Sequence, residues 1–164
     1  MPRTRACVAL LLTTLTAACA GPEITLELKQ NIHHDDFEYS AQRIDKLDRI
    51  GDLRPAGVFY VVTFQVDNRA KRVDHEWDNA LAFIVDEHGH QYENDPRAQA
   101  QLAATQPFGY RDRYVTSPGA IETTKFVFDL PRQAAEPYLR VRGETLMGDV
   151  LDGRRFTRTR IKLF

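Results

Sequence analysis

Residues 58–67 read Val-Phe-Tyr-Val-Val-Thr-Phe-Gln-Val-Asp, and this stretch decides the fold class. Val58, Tyr60, Val62, Phe64 and Val66 fall on one side of a period-two pattern. The other side begins apolar with Phe59 and Val61 and turns polar at Thr63, Gln65 and Asp67. Alternating β-branched and aromatic residues predict a central strand, buried on one face and partly covered on the other.

Downstream, Thr124, Phe126, Phe128 and Leu130 point one way and Lys125, Val127 and Asp129 the other, until Pro131 stops the run. Glu23 to Lys29 alternates cleanly as well, and Phe37 to Ile44 is a weaker strand. Ala80 to Val85 and His90 to Glu93 form a hairpin around Gly89, which supplies the positive φ that such a bend needs. Tyr138 to Arg142 and Arg155 to Leu163 are the last two strands. Asn94-Asp95-Pro96 opens one short helix near 96–104, with an Asp cap and proline at the first helical position; Gln106-Pro107 ends it. Seven or eight short strands with turns between them predict an all-β chain, folded as an antiparallel two-sheet sandwich.

The 164 residues carry 22 Lys+Arg against 23 Asp+Glu, a net charge of −1 that excludes the basic field a nucleic-acid partner requires. Two cysteines exclude a disulfide scaffold and an all-thiolate zinc site. Arg3 and Arg5 precede a short apolar run, Ala6 to Ala18, of signal-peptide length. It ends in Leu15-Thr16-Ala17-Ala18-Cys19, which resembles a bacterial lipobox, in which the cysteine thiol is acylated with diacylglycerol. The expected organisation is a lipoprotein signal peptide at 1–18, a lipidated Cys19 with a tether at 19–22, and a sandwich domain at 23–164. Ala18-Cys19-Ala20 also satisfies the A-x-A rule of ordinary secretion, with cleavage before Gly21 and a soluble periplasmic product. Cleavage before Cys19 leaves 20 basic and 23 acidic residues, about −3, and no free thiol once Cys19 is acylated. In lipoproteins of enteric type, Ala20 after the lipidated cysteine implies sorting to the outer membrane, with the domain facing the periplasm.

Gly57, the strand Val58 to Val66, Asn68, Leu81 to Asp86, Gly89, Tyr92, Pro118-Gly119 and Phe126-Val127-Phe128-Asp129-Leu130-Pro131 occur in a characteristic order. In that order and spacing, the run from Gly57 to Leu139 resembles a family of bacterial secreted and lipoprotein domains of unknown function. The family is sometimes labelled after a telomeric-repeat-binding factor. The resemblance implies an immunoglobulin-like β-sandwich related to mycobacterial secreted immunogenic proteins. It implies no catalytic residue and no cofactor. The chain departs from the pattern in a longer insert, Asp95 to Tyr114, and in a basic final strand.

Candidate sites are few. Ser40 and Ser117 are the only serines, and neither sits in a G-x-S-x-G elbow, so an envelope hydrolase built on Ser117 is a distant third reading. His88 and His90 flank Gly89 beside Asp86 and Glu87, which makes a zinc or copper protein the alternative function. Asp74-x-Glu76-x-Asp78 begins like a calcium loop, but Asn79 replaces the required glycine and Val85 the bidentate Glu. Phe108, Tyr110, Arg111, Arg113 and Tyr114 mix aromatic and guanidinium groups in the manner of a binding loop. The same residues also suit a cover over one open sheet face. Trp77, the only tryptophan, reads as a core anchor near Ala80. Arg158, Arg160 and Lys162 form a basic row. It suits an anionic lipid or glycolipid, or serves simply to keep an edge strand from pairing. The expected function is a non-enzymatic binding or assembly module. Its partners are the membrane, reached through the N-terminal lipid, and an envelope protein or anionic glycolipid.

Overall fold

The computed structural model describes residues 22–144, 146–151 and 155–164. The signal peptide expected at 1–18 and the lipidation expected at Cys19 lie outside the described residues. Eleven strands are formed among them. They are β1 (Ile24–Leu26), β2 (Ile32–His34), β3 (Phe37–Leu47), β4 (Val58–Asn68), β5 (His75–Asp78), β6 (Ala82–Val85), β7 (Gln91–Glu93), β8 (Arg113–Thr116), β9 (Ile121–Leu130), β10 (Tyr138–Val141) and β11 (Thr159–Lys162). Helix α1 (Pro96–Thr105) follows β7, and two helical turns, α2 (Met147–Leu151) and α3 (Arg155–Arg158), precede β11.

One sheet has the order β2-β3-β4-β9 and the other β1-β11-β10-β6-β7, and β5 and β8 form a separate two-stranded ribbon. The two large sheets face each other as a sandwich. Tyr60, Val62, Phe64, Val66, Phe126, Phe128 and Leu130 on one inner face meet Ala82, Ile84, Leu139 and Ile161 on the other, all buried. Neighbouring strands are antiparallel except β1 and β11, which run parallel with Ile24 opposite Thr159.

The outer face of β4 explains the mixed character of its sequence. Phe59, Val61 and Val127 form a second apolar cluster with Ile50, Ala98 and Leu102, so α1 covers the apolar half of that face. The helix starts where its residues require: the Asp95 carboxylate accepts the backbone N–H groups of Arg97 and Ala98 at 2.9 and 3.0 Å. Ala98 and Leu102, four apart, then share the buried side.

Two side chains clamp backbone at the ends of β4. Asp129 accepts the N–H groups of Ala56 and Gly57, and a Cβ on Gly57 would lie 2.0 Å from the Leu130 carbonyl oxygen. Asn68, fully buried, donates to the carbonyls of Val73 and Thr116 at 2.8 and 2.7 Å and accepts the N–H of Ala70 at 2.9 Å. That amide fastens the β5–β8 ribbon to the end of β4.

The C-terminal segment corrects the expected final strand. Residues 155–158 are helical, so Arg158 does not alternate with Arg160 and Lys162. Nor is β11 an edge: β1 covers one side and β10 the other. Parallel addition of β1 supplies the protection that charge was expected to give. The polar segment 75–78, which in sequence begins like a calcium loop, is strand β5. Its single large apolar residue, Trp77, points into the core.

Candidate functional site

His34 and Phe37 face each other across a two-residue turn, Asp35-Asp36, that joins β2 to β3. Asp35 has φ of 56°, a conformation that Asp tolerates better than most residues. Opposite this hairpin stands the β5–β8 ribbon. It is fixed by Asn68 and by Trp77, whose indole stacks on Tyr114 at 3.9 Å and donates to the Thr116 hydroxyl at 2.9 Å. Between the hairpin, the ribbon and Arg142, Gly143, Glu144 and Leu146 beyond the end of β10 lies a cleft of about 660 Å3.

Its walls are rings. Phe37 stacks on His75 at 4.0 Å, and His34 stacks on Phe156 at 3.8 Å. The Tyr39 hydroxyl and His75 Nε2 share a hydrogen bond of 2.9 Å, and His34 Nε2 lies 2.9 Å from the carbonyl oxygen of Glu144. Burial, with the His34 imidazole as the lesser cause, lowers the pKa of His75 to about 4. His75 is therefore neutral at pH 7, with one ring nitrogen a donor and the other an acceptor, and its Nε2 is engaged by Tyr39. Charge sits at the rim, where Arg113 pairs with Glu76. Arg142 pairs with Glu93 at 2.7 Å and donates to the Ala80 carbonyl. The cleft thus combines an aromatic and imidazole interior with a charged rim, where the carboxylates of Asp78, Asp112 and Glu144 stand beside the two arginine ion pairs. Its described lining offers stacking surfaces and hydrogen-bonding groups.

The residues singled out in sequence fall in three places. In the 106–114 insert, Arg113 and its neighbour Asp112 reach the cleft, and the other residues singled out there do not line it. Phe108 packs on the outer cluster under Lys125. The Tyr110 hydroxyl donates to Asp112, and burial raises its pKa, with Asp112 adding to the shift. Arg111 lies 3.8 Å from Glu122. Tyr114 is not part of a contact loop: it is a β8 core residue, fully buried, with its hydroxyl 2.7 Å from that of Thr124. The insert serves mainly to bring β8 back against β5.

At the 86–90 tip, Asp86 is a turn-former. Its carboxylate accepts the N–H groups of His88 and His90 at 2.9 Å, meets His90 Nδ1 at 2.9 Å, and accepts the Tyr92 hydroxyl at 3.0 Å. Burial pushes the Asp86 carboxyl upward, but the bonds from His90 and Tyr92 outweigh it and hold the pKa at about 2. The His88 and His90 rings stand edge to face, 6.0 Å apart. Among the described residues, no group of three or more His, Cys, Asp or Glu is placed to hold a metal ion.

Of the basic row, Arg160 lies over the Tyr138 ring at 3.8 Å and pairs with Glu23 at 2.7 Å, while Lys162 lies over Phe164. Arg158 donates to the Pro22 carbonyl at 2.9 Å. Ser117 is exposed in the turn before β9. No helix among the described residues is long and apolar enough to cross a membrane.

Sequence reasoning missed the cleft because its parts lie far apart in the chain. His34 and His75 were visible as histidines, but the β5–β8 pairing that brings His75 to the β2–β3 hairpin has no local signature.

No protein-family model matches the chain, and no curated protein matches it. Solved structures do. A conserved hypothetical protein from Bacillus anthracis superposes with a TM-score of 0.56 at 18% identity, over 70% of this chain and 88% of that one. The secreted protein MPT63 from Mycobacterium tuberculosis gives 0.55 at 13% identity, over 88% and 99%. An uncharacterized β-sandwich protein from Clostridium difficile gives 0.53 at 12%, over 87% and 95%. At these identities the likeness carries the fold alone: the chain is a β-sandwich of the kind found in these bacterial proteins.

Proposed function

We propose that the chain is an exported, lipid-anchored binding module of the bacterial envelope, not an enzyme, and that its cleft holds the partner. The observation that carries this reading is the cleft itself. It is a ring-lined hollow flanked by the β2–β3 hairpin and the β5–β8 ribbon, with two imidazole rings inside and charged side chains at the rim. Such a hollow recognises a ligand by stacking and a few directed hydrogen bonds. The leader and Cys19 support export and acylation, and a secreted protein is among the structures that share the fold. Held at a membrane by lipid, the domain meets envelope partners at high effective concentration, so modest affinity at the cleft suffices.

A photo-crosslinking side chain at Glu76, on the cleft rim, tests this in cells, with His88 as the control position. The reading expects a discrete adduct from position 76 that position 88 does not give. Identical adducts from both positions, or bulk lipid alone, would contradict it.

A further inference from the structure

The chain enters the domain at the same end from which its most exposed apolar turn projects. Because β1 runs parallel to β11, the residues preceding Ile24 and those preceding Thr159 lie at one end of the sheet. At that end Arg158 donates to the Pro22 carbonyl, and Glu23 pairs with Arg140 and Arg160. The start of the domain is therefore held against the α3–β11 junction. Only Ala20, Gly21 and Pro22 separate Cys19 from Glu23, a reach of at most about 14 Å.

Turn α2 sits just upstream of that junction. Met147, Val150 and Leu151 are 76%, 53% and 83% exposed, while Gly148 faces the domain, where an added Cβ would lie 2.9 Å from the Asp35 carboxylate. An ordinary surface helix turns its apolar side inward. This one presents its smallest residue to the body and its largest apolar groups to the outside. The 86–90 tip lies at the opposite end. Val85 and Lys162 both pair with Tyr138, so the tip stands beyond Lys162, at least about 10 Å farther along the strands than Thr159.

We infer that the tether end of the domain rests on the bilayer, with Met147, Val150 and Leu151 inserted at the headgroup–acyl boundary. The inference builds on the lipid-anchored reading. A tether this short leaves the domain end within reach of the headgroup layer, and apolar side chains presented there gain by entering it. The cleft, lined by Arg142, Gly143, Glu144 and Leu146, opens beside this contact, and the 86–90 tip points away from the membrane.

Acylation of Cys19 leaves no free thiol in the mature chain, so single cysteines can be labelled selectively. Nitroxides on Leu151→Cys, Met147→Cys and, as a control, His88→Cys are compared in the full lipoprotein. The protein is reconstituted in phosphatidylethanolamine–phosphatidylglycerol vesicles. The expected result is loss of collision with a water-soluble nickel reagent and gain of collision with oxygen at 151 and 147, but not at 88. Equal nickel access at all three positions in protein whose intact mass carries diacylglycerol overturns the inference and leaves the anchor standing. Spin–spin broadening at 151 that grows with protein density would assign the patch to a second copy and overturn it as well. A mature mass without diacylglycerol overturns the anchor and the inference together.

Discussion

Replacing Asn68 by Asp changes one atom type at the joint between β4 and the ribbon. Two N–H donors, now 2.8 and 2.7 Å from the carbonyl oxygens of Val73 and Thr116, become carboxyl oxygen facing carbonyl oxygen. A buried acceptor left without its donor, as at Thr116, costs about 1–3 kcal/mol and the partly buried Val73 carbonyl less, so Asn68→Asp costs about 1–4 kcal/mol at neutral pH. That is an appreciable part of the roughly 5–15 kcal/mol that holds a domain of this kind. The defect has a pH signature. Burial raises the introduced carboxyl above the usual range, and once protonated it donates one of the lost bonds. The variant's deficit relative to the parent at the same pH is therefore largest at pH 7 and shrinks as pH falls toward about 4. Urea unfolding followed by Trp77 emission is the assay, since the sole tryptophan lies in the ribbon that Asn68 fastens. A deficit below about 1 kcal/mol, or one that stays constant from pH 7 to 4, would refute the assignment of Asn68 as the clamp.

Gly57→Ala places a methyl group 2.0 Å from the Leu130 oxygen and 2.7 Å from Pro131 Cα, both backbone. It should cost about 3 kcal/mol, or about 10 °C in Tm, and an unchanged melt would show that the approach relaxes freely. Leu102→Ala empties the seat of α1 on β4 and should cost about 2–4 kcal/mol in urea unfolding; a loss under about 1 would mean the helix is not docked there. His75 resists protonation until about pH 4 in the folded protein, while the unfolded chain takes up the proton near 6.5. Stability present above pH 6.5 is therefore lost as pH falls toward 4. In His75→Gln the thermal melt should fall less over that window, and an identical slope in both proteins would remove His75 as the cause.

The two strands at the centre were legible because their inward faces repeat apolar residues at every second position, even though α1 also buries Phe59, Val61 and Val127 on the outer face. Tyr60, Val62, Phe64, Phe126 and Phe128 occupy the interior as the period-two pattern demands. The helix was equally plain, since Asp95 and Pro96 are local signals with local causes. The residues on which the family resemblance rests, Gly57, Asn68, Asp86 and Asp129, prove to be backbone clamps and turn-formers. That explains how order and spacing could carry a resemblance without any catalytic motif. What stayed hidden was non-local. β5 spans four residues, three of them polar, and β8 lies in an insert that reads as a loop; each is a strand only because the other is there. The charged run before Leu163 looked uniformly extended because Arg and Thr fit strand and helix alike. Nothing in its pattern places Phe156 against His34. The cleft inherits this obscurity, since apart from the local β2–β3 hairpin its walls are brought together by pairing over long sequence separations.

The account depends on the domain being held at a membrane by its first mature residue, and the intact mass of the chain isolated from envelopes measures this directly. The expected species begins at Cys19 and carries diacylglycerol on its thiol. A chain beginning at Gly21, or one retaining Met1 without lipid, would contradict it.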